Sequence, residues 1–191
     1  MLEASGTGEK TVGRGLITAI TVPDMNAVRR ARPEDAAEVL RLRQVMIDSL
    51  LPDRGAGDLH AAWHTDWHAD SLPVLTARLA EPDGDFGAFV VDHPERPGAL
   101  AALVAGTVEY RIGRAGNPEG RVGHVFSVAT DPQTRRRGYA RACMESLLAW
   151  FRERGVPQVD LNASAAAEPL YASLGFVRKP DPSMRLTFPA P

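Results

Sequence analysis

Apolar positions recur along the chain with two periods, and their alternation lays out an α+β domain. After a short strand over 27–31, Pro33 with Glu34 and Asp35 opens a helix whose apolar stripe is Ala36, Val39, Leu40, Met46, Ile47 and Leu50. Residues 52–57 read as a loop, and a second helix is expected over about 58–79, broken near Pro73. Strands at 86–92, 99–111 and 121–130, separated by turns at 93–98 and 113–120, predict an antiparallel meander. The strongest stripe is Ala140, Cys143, Met144, Leu147, Leu148 and Phe151; it predicts a helix over 137–154 that stops at Gly155. A short strand at 158–162, a helix at 165–174 and closing strands at 176–179 and 184–188 complete the pattern. Residues 1–24 stand apart: they are rich in Gly and Thr, their apolar run is broken by Thr18 and Thr21, and they fit a secretory signal poorly. They are expected to be a disordered tail outside one domain over 25–191.

Composition narrows the classes. The 191 residues are 44% apolar and 24% charged, which suits a packed core and excludes a disordered chain, a collagen-like repeat or a coiled coil. The net charge of −2 gives no overall field for nucleic acid or anionic lipid. No apolar run approaches the roughly 20 residues of a membrane span. The lone Cys143 rules out an internal disulfide and a cysteine-based zinc cluster, which suits a reducing, cytoplasmic setting.

The chemistry concentrates at DPQTRRRGYAR, residues 131–141, between a strand and the best helix. Arg135, Arg136 and Arg137 oppose the positive end of a helix dipole, which prefers acidic residues. The arrangement makes sense if an anion sits there, held by free N–H groups and guanidinium forks, with Gly138 allowing close approach and Ala140 keeping the first turn small. A solvated arginine cluster is the plainer alternative. The spacing is neither that of a P-loop nor that of a dinucleotide fingerprint.

Arg135-x-x-Gly138-x-Ala140 resembles the pyrophosphate-binding signature of the GNAT superfamily of N-acetyltransferases. Further on, Leu170-Tyr171-Ala172-Ser173-Leu174-Gly175-Phe176 is similar to that superfamily's second signature, and Met184-Arg185-Leu186 resembles its closing strand. The resemblance covers roughly 27–188. It departs at Ser164, where many members have Asn; Ser164 is expected to cap the following helix.

The resemblance implies a mostly antiparallel twisted sheet whose central parallel strand pair splays apart around acetyl-CoA, flanked by helices. The splayed strands would end near Thr130 and Asn162. By the same resemblance the pyrophosphate rests on the segment Arg135, Arg136, Arg137, Gly138, Tyr139, Ala140 and Arg141. The pantetheine arm pairs with backbone around Val128, Ala129 and Thr130, and a backbone N–H near Val128 polarises the thioester carbonyl. Asn162 and Ser164 flank the cofactor from the other strand. The implied activity is direct acetyl transfer to a primary amine, with no metal and no enzyme nucleophile. Tyr171 matches the position of the acid that protonates the leaving thiolate. His124 is expected on the strand face of Phe126, Val128 and Thr130, where a base for the incoming amine would stand; a core histidine is the alternative, and Glu109 the competing base.

Acceptor specificity falls to the first two helices. His60, Trp63, His64, Trp67 and His68 share one helical face, read either as packing or as an aromatic-lined pocket; the three histidines alone argue little for a metal. A small-molecule amine is the expected partner, with no nucleic acid and no membrane, and a homodimer stays open. A non-catalytic acyl-CoA sensor is the alternative function.

Overall fold

The computed structural model describes residues 28–50, 67–180 and 182–188. The expected tail, the loop at 52–57 and the first part of the second helix, with His60, Trp63 and His64, lie outside the described residues. The chain runs β1 (Val28–Arg30), a 3-10 turn (Pro33–Asp35), α1 (Ala36–Leu50), α2 (Trp67–Leu79), β2 (Phe86–Asp92), β3 (Leu100–Tyr110) and β4 (Arg121–Thr130). A second 3-10 turn (Pro132–Thr134), α3 (Tyr139–Glu153), β5 (Val159–Leu161) and α4 (Glu168–Ser173) follow. The strands form one sheet in the order β1-β2-β3-β4-β5, antiparallel up to β4 and parallel between β4 and β5. The expected meander and parallel pair are both there.

Each face of the sheet buries its own core. On one face α3 sets Cys143, Met144, Leu147 and Phe151 against Val104, Val108 and Val125, and Tyr171 of α4 joins them. On the other, Val39 and Leu42 of α1 and Leu79 of α2 cover Ala88, Val90, Leu103, Ala105 and Ala129. The approach of α3 depends on absent side chains. Gly87 and Gly106 pair directly across β2 and β3, and a Cβ on Gly106 would stand 2.8 Å from the His124 carbonyl and 3.0 Å from the Phe151 ring. A Cβ on Gly87 or Gly123 would press on Trp150 or Phe151 in the same way.

Four local expectations are corrected. Pro73 lies inside α2 instead of breaking it. The main helix starts at Tyr139, not 137, because Gly138 at φ 82° turns the chain outside helical space. The short helix starts at Glu168 rather than 165, with Ala167 at its N-cap; the Ser164 carbonyl, not its hydroxyl, accepts from the N–H groups of Ala167 and Glu168, each at 3.0 Å. Residues 176–179 and 184–188 form no strands. Val177 is 88% exposed and Met184 92%, so the alternation read there is not matched by burial, which is what fixes a strand's register.

Candidate active site

One extra residue in β4 shapes the centre of the molecule. Ala105 pairs with Ser127 but its neighbour Gly106 pairs with Val125, so Phe126 is a β-bulge. Pairing with β5 covers only Gly123, His124 and Val125 and ends at Val125–Leu161, immediately before the bulge. Beyond it, β4 continues to Thr130 with no strand paired on that side among the described residues. The Asp131 N–H donates to the Ala101 carbonyl at 2.8 Å, and the alternation of an antiparallel ladder then turns the N–H and C=O of Val128 and Thr130 away from β3, toward the gap. Asn162 stands exposed just past the end of β5, at the far lip of that gap, with Ser164 two residues on.

The bulge also exchanges faces. His124 shares a cross-strand row with Phe86 and Thr107, and Phe86 packs on the core under α1 and α2. Val128 packs on the α3 core instead. The expectation that His124, Phe126, Val128 and Thr130 share a face is therefore corrected: strict period 2 fails across an inserted residue. His124 stacks on Phe126 with centroids 6.4 Å apart, and Phe126 meets Phe86 at 6.1 Å. Among the described residues no side-chain hydrogen bond fixes the imidazole. Glu109 lies on the same face, held by Arg111 at 3.1 Å.

Past Thr130 the chain turns over a buried anchor. Asp131 accepts from the Gln133 N–H at 3.1 Å and from Arg41 at 3.0 Å, and it also pairs with Arg96. Burial alone would raise its carboxyl; the Gln133 N–H and the two guanidiniums outweigh it and hold the group below the ordinary carboxylate range. Thr134, fully buried, donates its hydroxyl to the Ala101 carbonyl at 3.0 Å. On this base stands an exposed loop in which Arg136 (φ 61°) and Gly138 (φ 82°) both take left-handed conformations around Arg137. For Arg136 that conformation costs about 1 kcal/mol or more, the kind of strain that gathers at ligand sites. The first hydrogen bond of α3 runs from Ala142 to Gly138 at 3.1 Å, which leaves the N–H groups of Tyr139, Ala140 and Arg141 without intrahelical acceptors. No acidic side chain occupies that first turn. Alternating left-handed residues and free helix-end N–H groups form a concavity suited to an anion. The Arg141 side chain turns away, to Ser173 and to Glu145 at 3.5 Å, and Arg137 reaches Glu95 only at 4.0 Å.

Tyr171 sits in the α3 core at 7% exposure, its ring edge-on to Phe176 at 6.0 Å. Burial raises its phenol above the ordinary value near 10. Cys143 is fully buried and pushed up to about 12 by desolvation, so it is an inert packing group, as its place in the apolar stripe implies.

Two features had no sequence signal. The buried carboxylate Asp160 faces His124 across the parallel pair and is bound by Lys179 at 2.6 Å; only the fold brings these residues together. Arg43 of α1 donates to the Ser127 hydroxyl at 2.6 Å, on the same side of the sheet as His124.

Residues 53–176 match the Acetyltransferase (GNAT) family. The chain is 36% identical over 118 residues to a mycothiol acetyltransferase of Thermobispora bispora; the match covers 60% of this chain but 38% of that relative. It is 30% identical over 122 residues to the [ribosomal protein bS18]-alanine N-acetyltransferase of Escherichia coli K12, covering 62% of this chain and 74% of that enzyme. Among solved structures, a GCN5-related N-acetyltransferase from Ralstonia eutropha JMP134 superposes with a TM-score of 0.64 at 25% identity, over 83% of this chain and 97% of that one. A predicted acetyltransferase from Clostridium acetobutylicum, solved with acetyl-CoA, shares the fold with a TM-score of 0.65 at 19% identity, over 84% and 94% of the two chains. No described helix is long and apolar enough to cross a membrane.

Proposed function

This chain belongs to the GNAT acetyltransferase family, and on that footing we propose that it transfers an acetyl group from acetyl-CoA to the primary amine of a small molecule. The observation that carries the reading is the free backbone edge of Val128 and Thr130, opened by the bulge at Phe126 and leading directly to the anion-binding turn before α3. A pantetheine arm has amide groups that can complete such an edge as an added strand, and a pyrophosphate suits the turn beyond it.

Acetyl-CoA, as co-substrate, supplies an activated thioester. The chain's own residues do the rest. The N–H groups of Tyr139, Ala140 and Arg141 take the phosphate charge, aided by Arg135 and Arg136. The Val128 N–H donates to the thioester carbonyl oxygen, where negative charge develops. Tyr171, whose phenol burial raises further above its ordinary value, gives its proton to the departing sulfur. On the opposite side of the sheet His124, free of fixed partners among the described residues, takes the proton of the attacking amine, with Glu109 as the alternative. The relatives are named for different acceptors, mycothiol in one case and an alanine of ribosomal protein bS18 in another. The reading of a small molecule rests on the aromatic surroundings of His124, which stacks on Phe126 beside Phe86.

The test is release of free CoA thiol from acetyl-CoA by the purified protein across an amine panel. Release that depends on the amine supports the transferase. Tight acetyl-CoA binding without release across the panel identifies a sensor instead.

A further inference from the structure

Arg43 is a half-buried cation with no carboxylate partner among the described residues. It projects from α1 into the seam with β4, and its Nη1 donates to the Ser127 hydroxyl at 2.6 Å. Arg29, Arg41, Arg96, Arg111, Arg121 and Arg178 each have a carboxylate. Arg30 and Arg154 share the lack, but those two donate to backbone carbonyls and lie over the Trp150 ring. A guanidinium carries five N–H donors in a rigid fork, and among the described residues the neutral Ser127 contact engages one of those of Arg43. The desolvation of the site pulls the group below its ordinary value, with no opposing carboxylate to restore it. Holding a charge half-buried and unpaired is costly, so an anionic ligand that completes the fork would be favoured there.

Its position says which ligand. Ser127, buried at 2% exposure, follows the bulge residue Phe126 and precedes Val128, whose N–H faces the gap between β4 and β5. Ser127 points to the α1 side of the sheet, the side of His124 and Phe126, away from the α3 core on which Val128 packs. The hydrogen bond to Ser127 thus fixes the fork on the acceptor side, one residue from the reacting carbonyl's donor. The bidentate geometry of a guanidinium matches a carboxylate or a phosphate.

We propose that Arg43, positioned by Ser127, recognises an anionic group carried by the acceptor, so that the acceptor is a primary amine bearing a carboxylate or a phosphate. The proposal rests on the transferase reading above for its amine, and on Arg43 alone for its anion.

The experiment compares matched acceptors that differ only in the anion: amino acids against their amides, and O-phosphoethanolamine against ethanolamine. In the unsubstituted protein kcat/KM should favour the anionic member of at least one pair by about 10- to 100-fold, the effect of a charge-assisted fork. The pair that shows it tells carboxylate from phosphate. Arg43→Gln should collapse that ratio toward one, mainly through KM, and Arg43→Lys, which keeps the charge and loses the fork, should fall between. In parallel, with CoA present, the preferred anionic amine should raise the melting temperature of the unsubstituted protein and not that of Arg43→Gln. Equal rates within both pairs, or a preference that survives Arg43→Gln, would overturn the proposal. If Arg43→Gln does not fold, a full preference retained by Arg43→Lys overturns the fork, and a reduced one supports it. No CoA release from any amine would defeat the transferase reading instead, and the anion assignment is then decided by the thermal shift.

Discussion

His124 and Tyr171 stand on opposite faces of the sheet. His124 shares its row with Phe86 and Thr107 beneath α1 and α2, and Tyr171 lies in the core beneath α3. The opening between β4 and β5 after Val125 is where the two sides communicate. Under the proposed roles, with His124 as base and Tyr171 as acid, the proton removed from the amine and the proton given to sulfur would belong to different groups on different faces.

Tyr171→Phe keeps the ring against Phe176 and removes only the hydroxyl. The acetyl-transfer rate should drop by about 10- to 1,000-fold, while KM for acetyl-CoA and the melting temperature change little. The raised phenol stays protonated through the neutral range, so the unsubstituted enzyme should not lose this acid until pH climbs past about 10. An alkaline limb that begins near pH 8 and vanishes in Tyr171→Phe would contradict the raised value.

His124→Ala should lower kcat/KM most below pH 7.5, where few amine molecules are neutral, and least near pH 9. Glu109→Gln, whose carboxylate is already engaged by Arg111, should show a small loss with no such pH dependence. The reverse assignment, with the pH-dependent loss in Glu109→Gln, would make Glu109 the base. A uniform loss in His124→Ala with a lower melting temperature would mark a packing histidine.

Gly138→Glu places a Cβ on a left-handed residue and a negative charge at the mouth of the anion-binding turn. Acetyl-CoA should raise the melting temperature of the unsubstituted protein and leave that of the variant unmoved. The backbone strain should also cost about 1 kcal/mol in denaturant unfolding. A normal acetyl-CoA shift in Gly138→Glu would remove the phosphate from this turn.

Asp131→Asn should destabilise the fold by about 1–3 kcal/mol at pH 7, since Arg41 and Arg96 lose their shared carboxylate. The folded carboxyl is held below its unfolded value, so its contribution is complete above about pH 4 and fades as pH falls through the depressed value. Denaturation midpoints measured from pH 6 to pH 2 should therefore decline less steeply in the variant. Parallel curves would show that the carboxylate contributes nothing to acid sensitivity.

Much of this was legible in the chain. The stripe through Cys143, Met144, Leu147 and Phe151 fixes α3, and the Arg135–Gly138 spacing marks the turn before it, because helical period and glycine placement are local signals. The bulge was not legible. Nothing in Val125-Phe126-Ser127 distinguishes an inserted residue from one more step of alternation, so period 2 alone puts Val128 and Thr130 on the wrong face relative to His124. The pairing of Arg43 with Ser127 spans 84 positions and exists only once α1 lies across β4. The alternation at 184–188 shows the converse: a period without burial predicts no strand.

Because alternate residues beyond the insertion at Phe126 face different helices, selection on the proposed transferase can act on its two substrates separately. Substitutions in α1 and α2 alter the surface on which Ser127 and Ala129 look out; substitutions in α3 and the turn before it alter the surface of Val128 and Thr130. If the proposed reading holds, a lineage built on this strand can exchange one amine for another while its donor machinery stays under unchanged constraint. Novelty in such proteins should accumulate on one side of a single peptide layer.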